Sequence, residues 1–418
     1  MFRNIIQSLF TKGLVAVINF FILIISSRYL GVSSRGEIGI LILNISIIQI
    51  INEIFTGYTL VYFIPRFNLR KIYIAGIVYT LLACSLSNAV FYFIKKFIPG
   101  YEFLSFGISL LVILNTFNCV IILGKEKIAM YNFLNLVQPL LLLLGLMFAA
   151  GVLKVYTFDA YVWPLMASFV IAFVISSIAV VSLMVKSRKD QPFEMAPILT
   201  NGLLCQMAVL MHVFCNRYSY YLLGNNTEVG LYSSASSLIE SVLIISNGIA
   251  PVLLSKVANA GDSERSQRIT LSLAKASFVL SVVCVTIIAL LPNEFFIFIL
   301  GKGFAGVKYV MMLYSPGILM LSFAGIISHY FSATGKLRTI LLCNTLGFLF
   351  AITLSHLLIG KYRLSGAAVA ADVSYTVLTL SLCAAFFTTN RLKFKELLAI
   401  KSDYNNLKEL FFSGRNGS

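Results

Sequence analysis

Apolar runs recur about every 30 residues from one end of this 418-residue chain to the other, with only short charged connectors between them. A run of about 20 apolar residues spans the hydrocarbon core of a bilayer. A chain assembled from such runs leaves no stretch from which to build a water-soluble core. The composition agrees, with 59% hydrophobic and 11% charged residues, where soluble domains carry about 25% charged residues. Within lipid only helices and closed barrels satisfy every backbone polar group. The runs lack the period-two alternation of a barrel strand, so the expected fold is an all-α integral membrane protein of about twelve transmembrane helices.

The expected spans are 13–30, 38–64, 72–94, 103–123, 131–153, 161–185, 197–223, 229–254, 269–291, 307–328, 339–359 and 365–387. Arg3 and Lys12 ahead of the first run resemble the start of a signal peptide. That run continues to Ser27-Arg28 without a small-x-small cleavage site, however, so it reads as a retained first helix.

Basic residues set the orientation. One alternating set of connectors holds Arg3, Lys12, Arg66, Arg70, Lys71, Lys125, Lys127, Lys186, Arg188, Lys189, Lys256, Arg265, Arg268, Lys275, Lys336 and Arg338, and the C-terminal tail adds Arg391, Lys393, Lys395, Lys401, Lys408 and Arg415. The opposite set is poorer: Arg28, Arg35, Lys95, Lys96, Lys154, Arg217, Lys302, Lys308, Lys361 and Arg363. Both termini are therefore expected in the cytoplasm. The net charge of +16 is spread over these connectors rather than gathered in a basic domain, which points to anionic lipid headgroups and away from nucleic acid. Residues 389–418, with Arg391, Lys393, Lys395 and Lys401 among Phe394, Leu397, Leu398 and Ile400, read as a basic amphipathic helix on the inner membrane surface. The seven cysteines (Cys84, Cys119, Cys205, Cys215, Cys284, Cys343 and Cys383) all fall in apolar spans without a C-x-x-C pair, as expected of small packing residues.

The chain repeats itself in order, with an offset of about 200 residues. Tyr29-Leu30-Gly31 followed by Glu37-Ile38-Gly39 matches Leu222-Leu223-Gly224 followed by Glu228-Val229-Gly230. Gly124-Lys125 matches Gly335-Lys336. Six spans per half is an even number, so the halves 1–190 and 191–388 enter the membrane in the same sense. A pseudo-two-fold axis along the membrane normal follows.

No connector is long enough for an extramembrane catalytic domain, and no G-x-x-x-x-G-K-[ST] loop for ATP is present. Gly301-Lys302-Gly303-Phe304-Ala305-Gly306 fits G-x-G-x-x-G. It follows no strand and lies between two membrane spans, so a flexible connector is expected there rather than a dinucleotide site.

Ionisable residues at membrane depth are costly, by roughly 2.5–3.5 kcal/mol on insertion scales, and usually line a bundle interior or a wet cavity. Glu53 lies near the middle of the second span and Glu240 near the middle of the eighth, corresponding helices with an offset of about one turn. Glu53 anchors a polar stripe with Ser46, Gln49, Thr56 and Gly57. Glu240 anchors another with Ser233, Ser236, Ser237 and Asn247. Such a stripe is either a cavity wall or a helix–helix seam. Asp372 shares a face of the twelfth span with Ser365, Thr376 and Thr379. Arg217 is the basic residue set deepest in a span. Its guanidinium suits bidentate contact with phosphate oxygens, or it snorkels to the outer headgroups. His212 lies deeper, as a hydrogen-bonded packing residue or a proton-coupling one. His356, near the outer interface, reads as structural.

Several segments resemble a known family: Ser27-Arg28-Tyr29-Leu30-Gly31 with Gly36-Glu37-Ile38-Gly39, then Leu300-Gly301-Lys302-Gly303-Phe304, Thr334-Gly335-Lys336 and Gly366-Ala367-Ala368-Val369-Ala370. Together with twelve spans in two halves, these resemble the polysaccharide flippases of the multidrug/oligosaccharidyl-lipid/polysaccharide exporter superfamily, and within it the Wzx-type O-antigen flippases. The resemblance implies translocation of an undecaprenyl-diphosphate-linked oligosaccharide from the cytoplasmic to the periplasmic leaflet of the bacterial inner membrane. It implies no enzymatic activity and no cofactor, and it brings membrane lipids and other polysaccharide-assembly membrane proteins as partners. Arg217 and Arg28 are then the candidate headgroup ligands, with Gln49, Asn247 and His212 lining the path. The alternative is a cation-coupled multidrug or small-molecule exporter of the same superfamily, with Glu53, Glu240 and Asp372 as groups for H+ or Na+. A polytopic enzyme is disfavoured by the short connectors, and a purely structural subunit by the mid-span glutamates.

Overall fold

The computed structural model describes residues 2–65, 67–184, 195–244, 246–248 and 263–390. The described residues form helices and connecting turns, with no strand. The expected tail beyond Asn390, and Lys186, Arg188, Lys189 and Lys256, lie outside the described residues.

The first helix, α1 (Phe2–Thr56), has 55 residues, about 80 Å at 1.5 Å per residue and far more than one crossing needs. It is broken at Gly31, where φ is 80° and ψ 175°, a conformation that a side chain would strain. Two rods result, and their division matches the turn expected between spans 13–30 and 38–64. Five long helices follow: α2 (Leu69–Phe93), α3 (Glu102–Gly124), α4 (Ile128–Gly151), α5 (Asp159–Met184) and α6 (Ala196–Arg217). Asn68 opens α2 by accepting the Arg70 backbone N–H at 2.9 Å. The shorter α7 (Asn226–Glu240) begins the expected eighth span, the rest of which runs toward residues outside the description. Then come α8 (Ser263–Leu290), α9 (Asn293–Leu300), α10 (Val307–Ala333) and α11 (Leu337–Asn390). The 54-residue α11 is broken at Arg363, φ 47°, which separates the expected last two spans.

Among the described residues nine helices are long and apolar enough to cross a membrane, α1 and α11 at double length. The protein is a multi-pass membrane protein. The segment expected to be a flexible connector at 301–306 is instead an ordered turn: Gly301 adopts φ 106°, Lys302–Phe304 form a 3-10 turn, and Phe304 is buried. A large aromatic ring anchored in the interior holds the glycines in place. The cysteines are free thiols, with Cys84, Cys119, Cys215 and Cys343 buried in helix packing.

Two compact units make up the chain, neither continuous in sequence. The first comprises Met1–Leu210, Gly224–Ser234 and Phe296–Ala305; the second comprises Met211–Leu223, Ala235–Phe295 and Gly306–Ser418. In the first, Ile38, Leu41 and Ile45 of α1 pack with Ile108 of α3, Leu146 of α4 and Leu165 of α5. In the second, α8 turns Ser277 and Ser281 inward while Val279, Val283 and Ile287 are exposed. That polarity suits lipid, where apolar side chains gain nothing from leaving the hydrocarbon and polar ones join helices. The Ser246 and Ser277 hydroxyls meet at 2.7 Å and both reach the Ser322 carbonyl, at 3.0 and 3.2 Å.

Candidate functional site

In the second unit, α6 ends on His212, Asn216 and Arg217. His212 and Asn216, four residues apart, share a helix face. Arg217 occupies the last turn, where a positive charge complements the exposed carbonyls. Glu240 is the last residue of α7. Its carboxylate accepts from the Asn216 amide through Oε1 and meets the Arg217 guanidinium through Oε2 at 3.5 Å. Tyr314 of α10 lies beside the same carboxylate. The Tyr375 ring of α11 lies 5.8 Å from that of Tyr314, and on its other side stacks with His212 at 5.8 Å and 20°. Both tyrosines are buried, whereas the Arg217 and Glu240 side chains keep 29% and 22% exposure.

Close packing sets this arrangement. Ser374 donates to the Gly347 carbonyl at 2.7 Å, and a Cβ on Gly347 would come within 3.1 Å of the Cys215 sulfur. The missing side chain at 347 therefore lets α6 and both rods of α11 converge, which brings Tyr375 to His212. Arg217, Glu240 and His212 were separate candidates in the sequence; the structure brings them into one group. Asn216, Tyr314 and Tyr375 were missed as site residues. The i, i+4 spacing to His212 was a signal for Asn216. Single tyrosines in apolar runs carry none, because they look like aromatics of the membrane interface.

In the first unit, Glu53 accepts from the Gln49 amide at 2.7 Å and also hydrogen-bonds the Gln206 side chain of α6. Gly202 lies flat against the Ile54 backbone, where a Cβ would run into the Ile54 carbonyl, so α6 comes near enough for Gln206 to reach α1. The Gln206 side chain is 5% exposed, and its Oε1 has no partner among the described residues. Ser46 and Thr56 of the expected stripe bond back to Ile42 and Asn52 carbonyls of their own helix.

The remaining candidates stand elsewhere. Asp372 accepts the Gly317 backbone N–H, one residue after Pro316 inside α10. A proline removes one helical hydrogen bond and disturbs the next turn, and the carboxylate serves the exposed backbone there. Arg28 is exposed and tied to α9, donating to the Phe298 carbonyl at 3.4 Å with its guanidinium 5.6 Å from the Phe298 ring centre. Also in the first unit, Glu37 accepts from the Asn226 amide at 3.2 Å. Asn247 is exposed, beyond the 3-10 turn Ser241–Leu243 that interrupts the phase of the Glu240 stripe. His356 is exposed and hydrogen-bonded to the Tyr218 hydroxyl at 3.0 Å. No group of three or more His, Cys, Asp or Glu side chains suited to a metal gathers among the described residues.

Solved structures share this architecture. The lipid II flippase MurJ, in an inward closed conformation, aligns with a TM-score of 0.70 at 14% identity over 98% of this chain and 92% of its own. An inward-facing multidrug resistance MATE family transporter of the MOP superfamily aligns at 0.68 and 14% identity, over 93% of this chain and 96% of its own. A mutant of the Vibrio cholerae MATE transporter VcmN aligns at 0.64 and 13% identity, over 94% and 97%. The chain has the fold of the MOP-superfamily transporters. Neither a protein-family model nor a curated protein sequence matches it. Within the MOP fold, the arginine–glutamate pair lies on helices α6 and α7, and the amide-held Glu53 on α1.

Proposed function

We propose that this protein is a MOP-superfamily flippase of the bacterial inner membrane, carrying undecaprenyl-diphosphate-linked O-antigen repeat units from the cytoplasmic to the periplasmic leaflet. Its halves, 1–190 and 191–388, rock about a pseudo-two-fold axis along the membrane normal, and both termini face the cytoplasm. The observation that carries the reading is Arg217, a permanent cation in the last turn of an apolar helix, partly exposed and held by one carboxylate at 3.5 Å. A diphosphate headgroup loses its hydration on entering the membrane, and a guanidinium replaces it with charge-assisted hydrogen bonds. The likeness to MurJ, a lipid II flippase, supports a lipid-linked substrate. The test is complementation of a strain lacking its own flippase. The wild-type chain restores surface polysaccharide, and Arg217→Ala lowers it sharply at equal expression. Full polysaccharide output from Arg217→Ala removes Arg217 from the mechanism.

A second reading, a cation-coupled exporter of small molecules, draws on the unpartnered Gln206 Oε1 beside Glu53 and on the likeness to MATE transporters. A buried acceptor next to a carboxylate suits a proton donor or a small cation. Under this reading, expression lowers drug accumulation in a gradient-dependent way, and Glu53→Gln abolishes the effect. Unchanged drug accumulation rejects it.

A further inference from the structure

Glu240 occupies the place that an anionic substrate needs. Its carboxylate touches the Arg217 guanidinium through one oxygen and one nitrogen at 3.5 Å, looser than the 2.7–2.9 Å of a well-formed charge-assisted bond. The second carboxylate oxygen is held by the Asn216 amide, so Glu240 keeps its position if the guanidinium turns away. The titratable and charged groups around the Glu240–Arg217 pair are His212 from α6, Tyr220 from the 3-10 turn after α6, Tyr314 from α10 and Tyr375 from α11, besides Arg217 itself. Of these, only Arg217 carries a permanent positive charge.

We propose that Glu240 is a stand-in anion for Arg217, that the diphosphate of a lipid-linked headgroup displaces it, and that the released carboxylate takes up one proton. Phosphate oxygens then pair with the guanidinium in two-point geometry. Glu240, left among neutral side chains in a low-dielectric interior, binds a proton from the aqueous side because an unpaired buried charge is costly. Headgroup entry and protonation are thereby one event, and headgroup departure returns the proton as Arg217 recaptures Glu240. This inference rests on the flippase reading and adds the coupling to it.

The test uses the full chain in phosphatidylcholine nanodiscs, with geranylgeranyl diphosphate as probe and inorganic pyrophosphate beside it. Calorimetric titrations in buffers of different ionisation enthalpy count the protons taken up. The wild type is expected to take up about one proton more than Glu240→Gln, since the probe's own protonation is common to both. Its affinity falls by up to tenfold per pH unit as pH rises through the range where bound Glu240 is protonated and free Glu240 is not. Glu240→Gln binds at least as tightly, without that steepness. Arg217→Ala loses binding. Equal proton uptake by wild type and Glu240→Gln overturns the exchange while leaving Arg217 as an anion site. Wild-type binding independent of pH does the same without any variant. Failure of the wild type to bind the probe overturns the exchange and the flippase reading together. Equal affinity for inorganic pyrophosphate overturns the lipid-linked form of the proposal and assigns a free anion.

Discussion

Glu53 in the first unit and Glu240 in the second are both carboxylates at membrane depth, but their surroundings differ in kind. Glu53 faces the neutral amides of Gln49 and Gln206. Glu240 faces a guanidinium, with an amide and two tyrosines behind it. An amide-held carboxylate gains or loses a proton without stranding any partner. One held by arginine cannot change alone, because whatever releases Glu240 leaves two buried charges to be satisfied. The first arrangement suits a group that titrates by itself, and the second suits an exchange of anions.

The largest effect is expected at the charged pair. Arg217→Ala strands Glu240 and should destabilise the second unit by about 3–5 kcal/mol, measured by SDS unfolding in mixed micelles. Adding Glu240→Gln should restore most of that loss. Equal losses in the single and double variants would mean that the pair is uncoupled. Next comes Gly202→Val, which drives a side chain against the Ile54 carbonyl and should cost about 1–3 kcal/mol. It should also separate Gln206 from Glu53, so that adding Glu53→Gln has no further effect; a tolerant Gly202→Val would show that the close approach is not needed.

Tyr314→Phe, removing the hydroxyl beside Glu240, should cost about 1 kcal/mol. In a double-mutant cycle with Glu240→Gln it should show a coupling energy, and strict additivity would remove Tyr314 from the group. The smallest change is expected for Glu53→Gln, within about 1 kcal/mol of wild type, because one neutral amide replaces a group already surrounded by amides. A loss as large as that of Arg217→Ala would place a cation beside Glu53 and erase the contrast between the units.

Most expected spans coincide with described helices to within a few residues. Gly31, read as part of the first outer turn, is the residue that breaks α1. Arg217 and Glu240 stood out as costly charges in apolar runs, yet nothing in their spacing showed that they touch. Arg28 carried the family resemblance and read as a headgroup ligand, but it is tied to Phe298 in the first unit. Asp372 shared a polar face, but its carboxylate serves the backbone beside Pro316. Asn247 kept helical phase with Glu240 on paper, and the turn at Ser241–Leu243 ended that phase.

Length and apolarity are local quantities, so the sequence by itself determined that this chain crosses a membrane many times, roughly where its helices begin, and which charges had to be explained. Partners at membrane depth are not local. Tyr314 and Tyr375 join the Glu240 group from distant helices, and a missing side chain at Gly347 or Gly202 decides how near two helices come. Only the tertiary structure could make those choices, because they depend on side-chain volumes meeting across helices rather than on any pattern within one.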